Sequence, residues 1–248
     1  MNLKFAPYSF SKIATFKCPF KFKLTYIDKL KFPSTNINLE KGRYIHKYLE
    51  NYILKKEEPE FKFELSSKQN IENYKKIVKD FINLNSNFFK NLSESVKVEK
   101  SFGIKIKDGD LIPCEYFDKK CILRGKIDLI QNNNIIIDWK TGKIPLQVKP
   151  DQLKLYAFWT FLKYPEINKI NTNFVYIEQK TVKNFTFYRK DLPSLKKYFI
   201  SEIKKIENTK DFKKNFSPLC FYCIFYQNKI CNGPISTLDE FKNFIKWK

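Results

Sequence analysis

The sequence predicts an α/β fold in which a mixed β-sheet is flanked by helices. Three observations support this prediction. Apolar residues recur at helical spacing in the first 95 residues, and again in stretches that begin near 150 and 191. β-Branched and aromatic runs typical of strands fill residues 96–140 and return between 173 and 188. A helix that separates two groups of strands is typical of α/β proteins with partly parallel sheets.

The 248 residues fit a single domain with four parts. We expect a mainly helical part at 1–95, a core at 96–190, a helix with a cysteine cluster at 191–233, and a tail at 234–248. Helical spacing predicts helices at 8–30 with a break at Pro19, and at 40–55, 66–95, 150–162, 191–209 and 236–248. The strand-like runs are 96–102, 111–117, 121–130, 135–140, 173–178 and 182–188.

The stretch 125–140 predicts a β-hairpin that gathers charged residues on one face. Two apolar runs are joined by asparagines 132–134, which favour a turn. If these three residues form the loop, Asp128 faces Asp138, and Lys140 shares their face because strand side chains alternate. Two carboxylates about 4 Å apart repel by about 4 kcal/mol at an effective dielectric constant of about 20. The pair therefore needs a cation, a shared proton or water, unless it is an ordinary exposed surface.

Two other polar residues are candidates for the same site. His46 is the single histidine and lies on the predicted helix 40–55, and Glu99 lies on the first predicted strand. A lone histidine is more often a structural hydrogen-bonding group than a ligand, although histidine is the commonest metal ligand. Most glutamates on strands face solvent. Taken alone, neither His46 nor Glu99 therefore indicates a metal site.

The charge of +21 indicates a polyanionic partner. Nucleic acid and an anionic membrane surface are both polyanions that fit this charge. A genome of biased composition would account for part of the lysine excess. Aromatic residues, 17% of the chain, are interleaved with the basic ones and favour nucleic acid. No apolar run of membrane-spanning length occurs, and the N-terminus lacks the apolar core of a signal peptide. We therefore expect a cytoplasmic protein that does not bind membranes.

The cysteines indicate a metal site near the C-terminus, because cytoplasmic cysteines are reduced or metal-bound. A C-x-x-C pair with a third cysteine close by is formed by Cys220, Cys223 and Cys231. Cys18, at a helix break, is a better fourth ligand than the two cysteines within predicted strands. Four thiolates suit an iron–sulfur cluster or zinc. The alternative is a set of ordinary buried cysteines.

Several motifs follow one another along the chain in a specific order. They are Ser9-Phe10-Ser11-Lys12-Ile13 with Cys18-Pro19-Phe20, Gly42-Arg43-Tyr44-Ile45-His46, Val98-Glu99-Lys100, Gly125-Lys126-Ile127-Asp128, Ile137-Asp138-Trp139-Lys140-Thr141-Gly142, Gln152-Leu153-Lys154-Leu155-Tyr156 and the C-terminal cysteines. Together they resemble the RecB/AddB-like branch of the PD-(D/E)XK nuclease superfamily, especially its iron–sulfur members, which include nucleases of CRISPR spacer acquisition. The gap between Cys223 and Cys231 is wider than in that family's pattern.

The resemblance implies a restriction-endonuclease-like core and a role for each matching residue. Catalytic roles fall to Asp128, Asp138 and Lys140. Mg²⁺ or Mn²⁺ would be held by His46, Asp128, Asp138 and the backbone carbonyl of Trp139, with Glu99 as a further candidate. Gln152 and Tyr156 would position DNA or support the site. A 4Fe-4S cluster, with zinc as the alternative, would be held by Cys18, Cys220, Cys223 and Cys231.

The implied function is metal-dependent hydrolysis of DNA. We expect an exonuclease that acts on single-stranded or frayed ends in DNA repair, recombination or CRISPR-type spacer capture. Its partners would be DNA and a helicase or a CRISPR-adaptation protein. One alternative is a catalytically inactive DNA-binding protein on the same fold. Another is a zinc-ribbon-like interaction module in which the hairpin carboxylates are incidental.

Overall fold

The computed structural model of the chain describes residues 3–33 and 36–233. Its α-helices are α1 (Phe10–Thr15), α2 (Pro19–Phe22), α3 (Ile37–Ile53), α4 (Lys68–Leu84), α5 (Ser86–Lys90), α6 (Asp151–Lys163), α7 (Leu192–Glu207) and α8 (Ile224–Gln227). A π-helical turn, Lys23–Ile27, follows α2. The helix predicted at 236–248 lies outside the described residues. None of the helices within 3–33 and 36–233 has the length and apolar character needed to cross a membrane.

Six strands form one mixed sheet. They are β1 (Lys97–Lys107), β2 (Asp110–Cys114), β3 (Cys121–Gln131), β4 (Ile135–Lys140), β5 (Lys169–Tyr176) and β6 (Thr181–Tyr188). Their order across the sheet is β2-β1-β3-β4-β5-β6. Neighbouring strands are antiparallel except β4 and β5, which are parallel. The predicted α/β class with a mixed sheet is confirmed, and it is consistent with a restriction-endonuclease-like fold.

The chain divides into two compact units, Met1–Phe10 with Thr35–Glu202 and Ser11–Ser34 with Ile203–Lys248. The first unit contains the whole sheet and α3 to α6. The second contains α2, α8 and a cluster of aromatic rings. In that cluster the ring of Phe22 stacks on Phe212 at 6.3 Å and meets Phe16 edge-on at 5.4 Å.

Helix α6 lies between β4 and β5 in sequence because parallel neighbours require a crossover connection. Its residues from Leu155 to Phe161 are all buried, so the helix is apolar on most of its surface. The ring of Phe102 on β1 stacks on Trp159 of this helix at 4.9 Å. On α3 and α4, apolar side chains instead share a core with Leu129, Ile137 and Trp139 of the sheet. Residues that alternate with these three, such as 128 and 138, therefore point away from that core.

A buried glutamate ties α3 to the segment that follows it. The side chain of Glu40 is 2% exposed, and its carboxylate accepts hydrogen bonds from the backbone amides of Glu64 (2.6 Å) and Leu65 (3.1 Å) and from the hydroxyl of Ser66. Burial alone would raise the pKa of Glu40, but these hydrogen bonds outweigh it and hold the pKa below the usual 4.5. The ionised carboxylate therefore stabilises the fold.

We expect Glu40→Gln to lower the free energy of unfolding by about 1–3 kcal/mol near neutral pH, because the amide leaves part of this network unsatisfied. Since the pKa of Glu40 is lowered on folding, its contribution is complete above pH 4.5 and is lost as the pH falls through the folded-state value. Urea titrations at several pH values measure the difference. Glu60→Gln, at an exposed position, is the control. A cost that is the same for both variants would contradict the assignment.

Candidate active site

The β3–β4 hairpin sets two aspartates opposite each other. Gln131 pairs with Ile135, which leaves 132–134 as the loop. The first two asparagines of the loop have φ values of 51° and 57°, in the left-handed region that asparagine tolerates. The predicted register is confirmed, and it places Asp128 across from Asp138.

A third carboxylate continues the row on the next strand. The residues on either side of Glu99 pair with the residues on either side of Asp128, so the two face each other across β1 and β3. The φ of Glu99 is 49°, a conformation that costs a side chain with a Cβ about 1–2 kcal/mol. Strained residues of this kind are concentrated at functional sites. Glu99, Asp128 and Asp138 thus lie side by side on three neighbouring strands.

Asp138 is the most buried of the three carboxylates, at 3% exposed. Its Oδ1 accepts hydrogen bonds from Gln152 Nε2 (2.7 Å) and the Tyr156 hydroxyl (3.0 Å), and its Oδ2 lies 2.6 Å from Lys140 Nζ. Burial, together with the charge of Asp128, raises the pKa of Asp138 to about 6 despite the nearby ammonium group. The carboxylate is therefore held in one orientation and ionises near neutral pH.

Asp128 is held by the backbone of β4 and by the helix α3. Its Oδ2 accepts a hydrogen bond from the Trp139 amide at 2.7 Å, and its Oδ1 lies 3.5 Å from His46 Nδ1. His46 Nε2 is 3.1 Å from the Trp139 carbonyl oxygen. Burial lowers the pKa of His46, but the contacts with Asp128 outweigh it and the pKa is raised. A Cβ at Gly42 would lie only 3.1 Å from Thr141 Oγ1, so glycine allows α3 this close to the end of β4.

Lys140 is fixed by three contacts. Besides its ion pair with Asp138, its ammonium donates to Gln152 Oε1 at 2.9 Å and lies 4.7 Å from the ring centroid of Phe174. Gln152 and Tyr156 share one face of α6, as their spacing of four residues predicts. Gln152 Nε2 donates to the Tyr156 hydroxyl at 2.6 Å. The ammonium group therefore has one defined position beside the carboxylate row.

The residues with ligand atoms closest together are not the full set that the sequence predicted. Among the described residues, one group of three potential ligand atoms lies within 4.8 Å, and it comprises His46, Glu99 and Asp128. Asp138 is outside this group because its oxygens face Lys140, Gln152 and Tyr156. Hard carboxylate oxygens with one imidazole fit Mg²⁺ or Mn²⁺, and the imidazole favours Mn²⁺.

An open cleft of about 540 Å³ adjoins this group of ligands. Its lining includes Arg43, Lys47 and Lys126, to which the sequence analysis gave no role. Both Arg43 and Lys126 had a signal in the sequence. Arg43 lies one helical turn before His46, and Lys126 lies two residues before Asp128 on the same face of a strand. The lining of the cleft therefore includes three basic side chains close to the ligand group.

The four cysteines predicted to share a site line one cavity of the second unit. The cavity has a volume of about 440 Å³ and is lined by Cys18, Cys220, Cys223 and Cys231 together with aromatic side chains and three lysines. No three of these sulfur atoms lie within 4.8 Å of one another. The arrangement is wider than a zinc tetrahedron, in which thiolates bound at about 2.3 Å lie about 3.8 Å apart. The four sulfur atoms therefore lie around one cavity but do not form a preformed zinc tetrahedron.

Comparisons with known proteins identify the family of the chain. No curated protein matches the sequence. Among solved structures, the crystal structure of SSO0001 is similar, with 14% identity over 95% of this chain and 89% of that chain and a TM-score of 0.38. The sequence pattern of the PD-(D/E)XK nuclease superfamily matches residues 7–232, which include every residue of the carboxylate row and its lysine. The chain therefore belongs to the PD-(D/E)XK nuclease superfamily.

Proposed function

We propose that this protein is a metal-dependent DNA exonuclease of the RecB/AddB-like branch that acts on single-stranded or frayed ends. The observation that carries the proposal is the row of Glu99, Asp128 and Asp138 with the ammonium of Lys140 fixed at one end. Three carboxylates at one level of a sheet bind a divalent cation far better than they tolerate one another. A catalytically inactive protein would have no need for a lysine fixed beside such a row.

Mg²⁺ or Mn²⁺ would be held by Asp128, Asp138, His46 and the Trp139 carbonyl, with Glu99 as a further ligand. A bound divalent ion would lower the pKa of a water molecule and offset charge on the phosphate. Lys140 would orient the attacking water and stabilise the negative charge that develops on the phosphoryl oxygens.

The neighbours of the catalytic groups would keep them in place. Gln152 donates to Asp138 and accepts from Lys140, so it fixes the distance between the ligand carboxylate and the ammonium. Tyr156 has a pKa raised well above its usual value by burial, so its hydroxyl remains a hydrogen-bond donor to Asp138. Both residues would act on the substrate through Asp138 and Lys140 rather than by direct chemistry.

Charge and shape of the cleft support DNA as the substrate. The net charge of +21 supplies affinity for a phosphate backbone that does not depend on sequence. The guanidinium of Arg43 lines the cleft and forms no hydrogen bond or ion pair with another described residue, so it is available to a phosphate. A strand that enters this cleft would lie beside the ligand group, and attack from its end is the mode that we propose. The pathway would be repair, recombination or spacer capture, with a helicase or a CRISPR-adaptation protein as partner.

The cysteine cavity would hold a 4Fe-4S cluster with a structural role. Four thiolates are the usual ligands of such clusters, and the three lysines of the lining, Lys17, Lys21 and Lys214, would offset its negative charge. Cys18 comes from the N-terminal part of the unit and the other three from its C-terminal part. The cluster would therefore join the two segments of the second unit. Zinc is the alternative, and it would require the thiolates to move closer together.

An assay with end-labelled DNA tests the proposal. Purified protein should degrade linear single-stranded DNA and duplexes with frayed ends in Mn²⁺ or Mg²⁺, leave circular single-stranded DNA intact, and lose activity in EDTA. Cleavage of circles would show an endonuclease instead. If linear DNA is bound but is not cut with either metal ion, the protein is a DNA-binding protein on this fold and the proposed activity is wrong.

A further inference from the structure

A second lysine, Lys126, belongs to the candidate metal site. It lies on β3 two residues before Asp128, so both side chains leave the same face of the strand. Its ammonium forms an ion pair with Glu99 Oε2. The Glu99 side chain is 16% exposed and that of Lys126 is 54% exposed, so the pair lies at the border between the carboxylate row and the open cleft.

The three carboxylates of the row differ in their counter-charges. Asp138 is paired with Lys140 at 2.6 Å, and Glu99 is paired with Lys126. Asp128 lies between them and contacts the Trp139 amide and His46, but forms no ion pair with a lysine or arginine among the described residues. The outer carboxylates thus each have an ammonium partner, whereas the central one has the imidazole of His46 instead.

We propose that the site binds a single divalent ion, centred on Asp128, because the ammonium of Lys126 occupies Glu99 Oε2, the carboxylate oxygen that a second ion would need. The inference rests on the proposed function and assigns Lys126 as a positioning residue. Three carboxylates and two ammonium groups leave one net negative charge. One divalent ion reverses that charge, and one phosphodiester neutralises it. A second ion would add two positive charges beside Lys126, where they would be repelled.

The number of bound Mn²⁺ ions tests this assignment. Mn²⁺ is titrated into the full chain without DNA, and electron paramagnetic resonance counts free and bound ions. The wild type should bind one ion at the site. Lys126→Met should bind a second ion with an affinity at least about tenfold higher than the wild type shows for any second ion. Two ions about 4 Å apart would couple magnetically and broaden the spectrum, a signature that a structural defect does not produce.

Matched variants make the result specific. Lys47 pairs with Glu50 at 2.8 Å in the same cleft and is 46% exposed, so Lys47→Met should keep one ion. Lys126→Arg should also keep one ion, and Lys126→Gln should repeat the result of Lys126→Met if that variant folds poorly. Two ions in the wild type, or one ion in both neutral variants, would overturn the assignment. Asp128→Asn separates the two proposals: unchanged Mn²⁺ binding in that variant would refute the metal site itself.

Discussion

Asp138→Asn should lower the rate of DNA cleavage by about a thousandfold or more, because it removes a proposed ion ligand and the counter-charge of Lys140 together. The asparagine amide can keep the hydrogen bonds from Gln152 and Tyr156 on one side, but its other atom can no longer accept from the ammonium 2.6 Å away. Initial rates on end-labelled linear DNA in saturating Mn²⁺ measure the loss. DNA binding, followed by fluorescence anisotropy without divalent ions, should change little.

The thermal stability of Asp138→Asn shows whether a loss of activity comes from the missing carboxylate or from unfolding of the protein. The pKa of Asp138 is raised to about 6, so the folded state favours the protonated acid and the ionised form costs stability above that pH. Asparagine removes this cost, and near pH 8 we expect a thermal midpoint close to that of the wild type. Asp118→Asn, which breaks a 2.7 Å ion pair with Lys105, is the control for removing an ion-paired aspartate. Cleavage by Asp138→Asn within a few-fold of wild type would contradict its assigned role.

The central hairpin could be predicted from the sequence because local rules determine it. Alternation of side chains fixes the face of each residue once the register is known, and an asparagine-rich loop fixes the register. The opposition of Asp128 and Asp138 and the shared face with Lys140 follow from those two facts alone. The spacing of Gln152 and Tyr156 predicts their common face in the same way, because i and i+4 are neighbours on a helix.

Features that depend on distant pairings could not be predicted from the sequence. Glu99 joins the row only because β1 pairs with β3 in one register, and a loosely alternating strand does not specify that register. Its left-handed backbone also has no signal, since glutamate rarely adopts it. Lys126 belongs to a motif that the sequence shows, but its ion pair with Glu99 on β1 could not be predicted. The burial of Glu40 depends on amides of residues 64 and 65, which no periodicity reveals.

The second compact unit could be predicted only in part from the sequence. Helical spacing predicts helices at 8–30 and 191–209, but it predicts neither the short helix α8 nor the grouping of residues 11–34 and 203–233 in one unit. The cysteines alone predicted that the two segments lie close together. Three thiolates call for a fourth ligand, and Cys18 was the best candidate for it. All four line one cavity, and spacing alone does not encode that proximity.

Cys223→Ser should remove most of the iron from the protein and loosen the second unit. If the cavity holds a 4Fe-4S cluster, anaerobically purified wild type is brown and contains about four irons per chain, whereas the variant should contain less than about one. The proposed cluster would contribute ligand bonds between segments that are distant in sequence, so its loss should increase amide hydrogen exchange in residues 11–33 and 203–233. Exchange in β3 and β4, which lie in the other unit, should be nearly unchanged.

Cys114→Ser is the matched control, because Cys114 is also half-buried but lies outside the cavity. Burial and the neighbouring Cys121 raise the pKa of Cys114 to about 12, so it remains a thiol and is a poor ligand. This variant should keep its iron and colour. A colourless wild type with one zinc ion would support the zinc alternative, and full iron content in Cys223→Ser would exclude that residue as a ligand. Because Asp138 and the cysteines lie in different units, loss of iron without loss of cleavage would establish the cluster as structural.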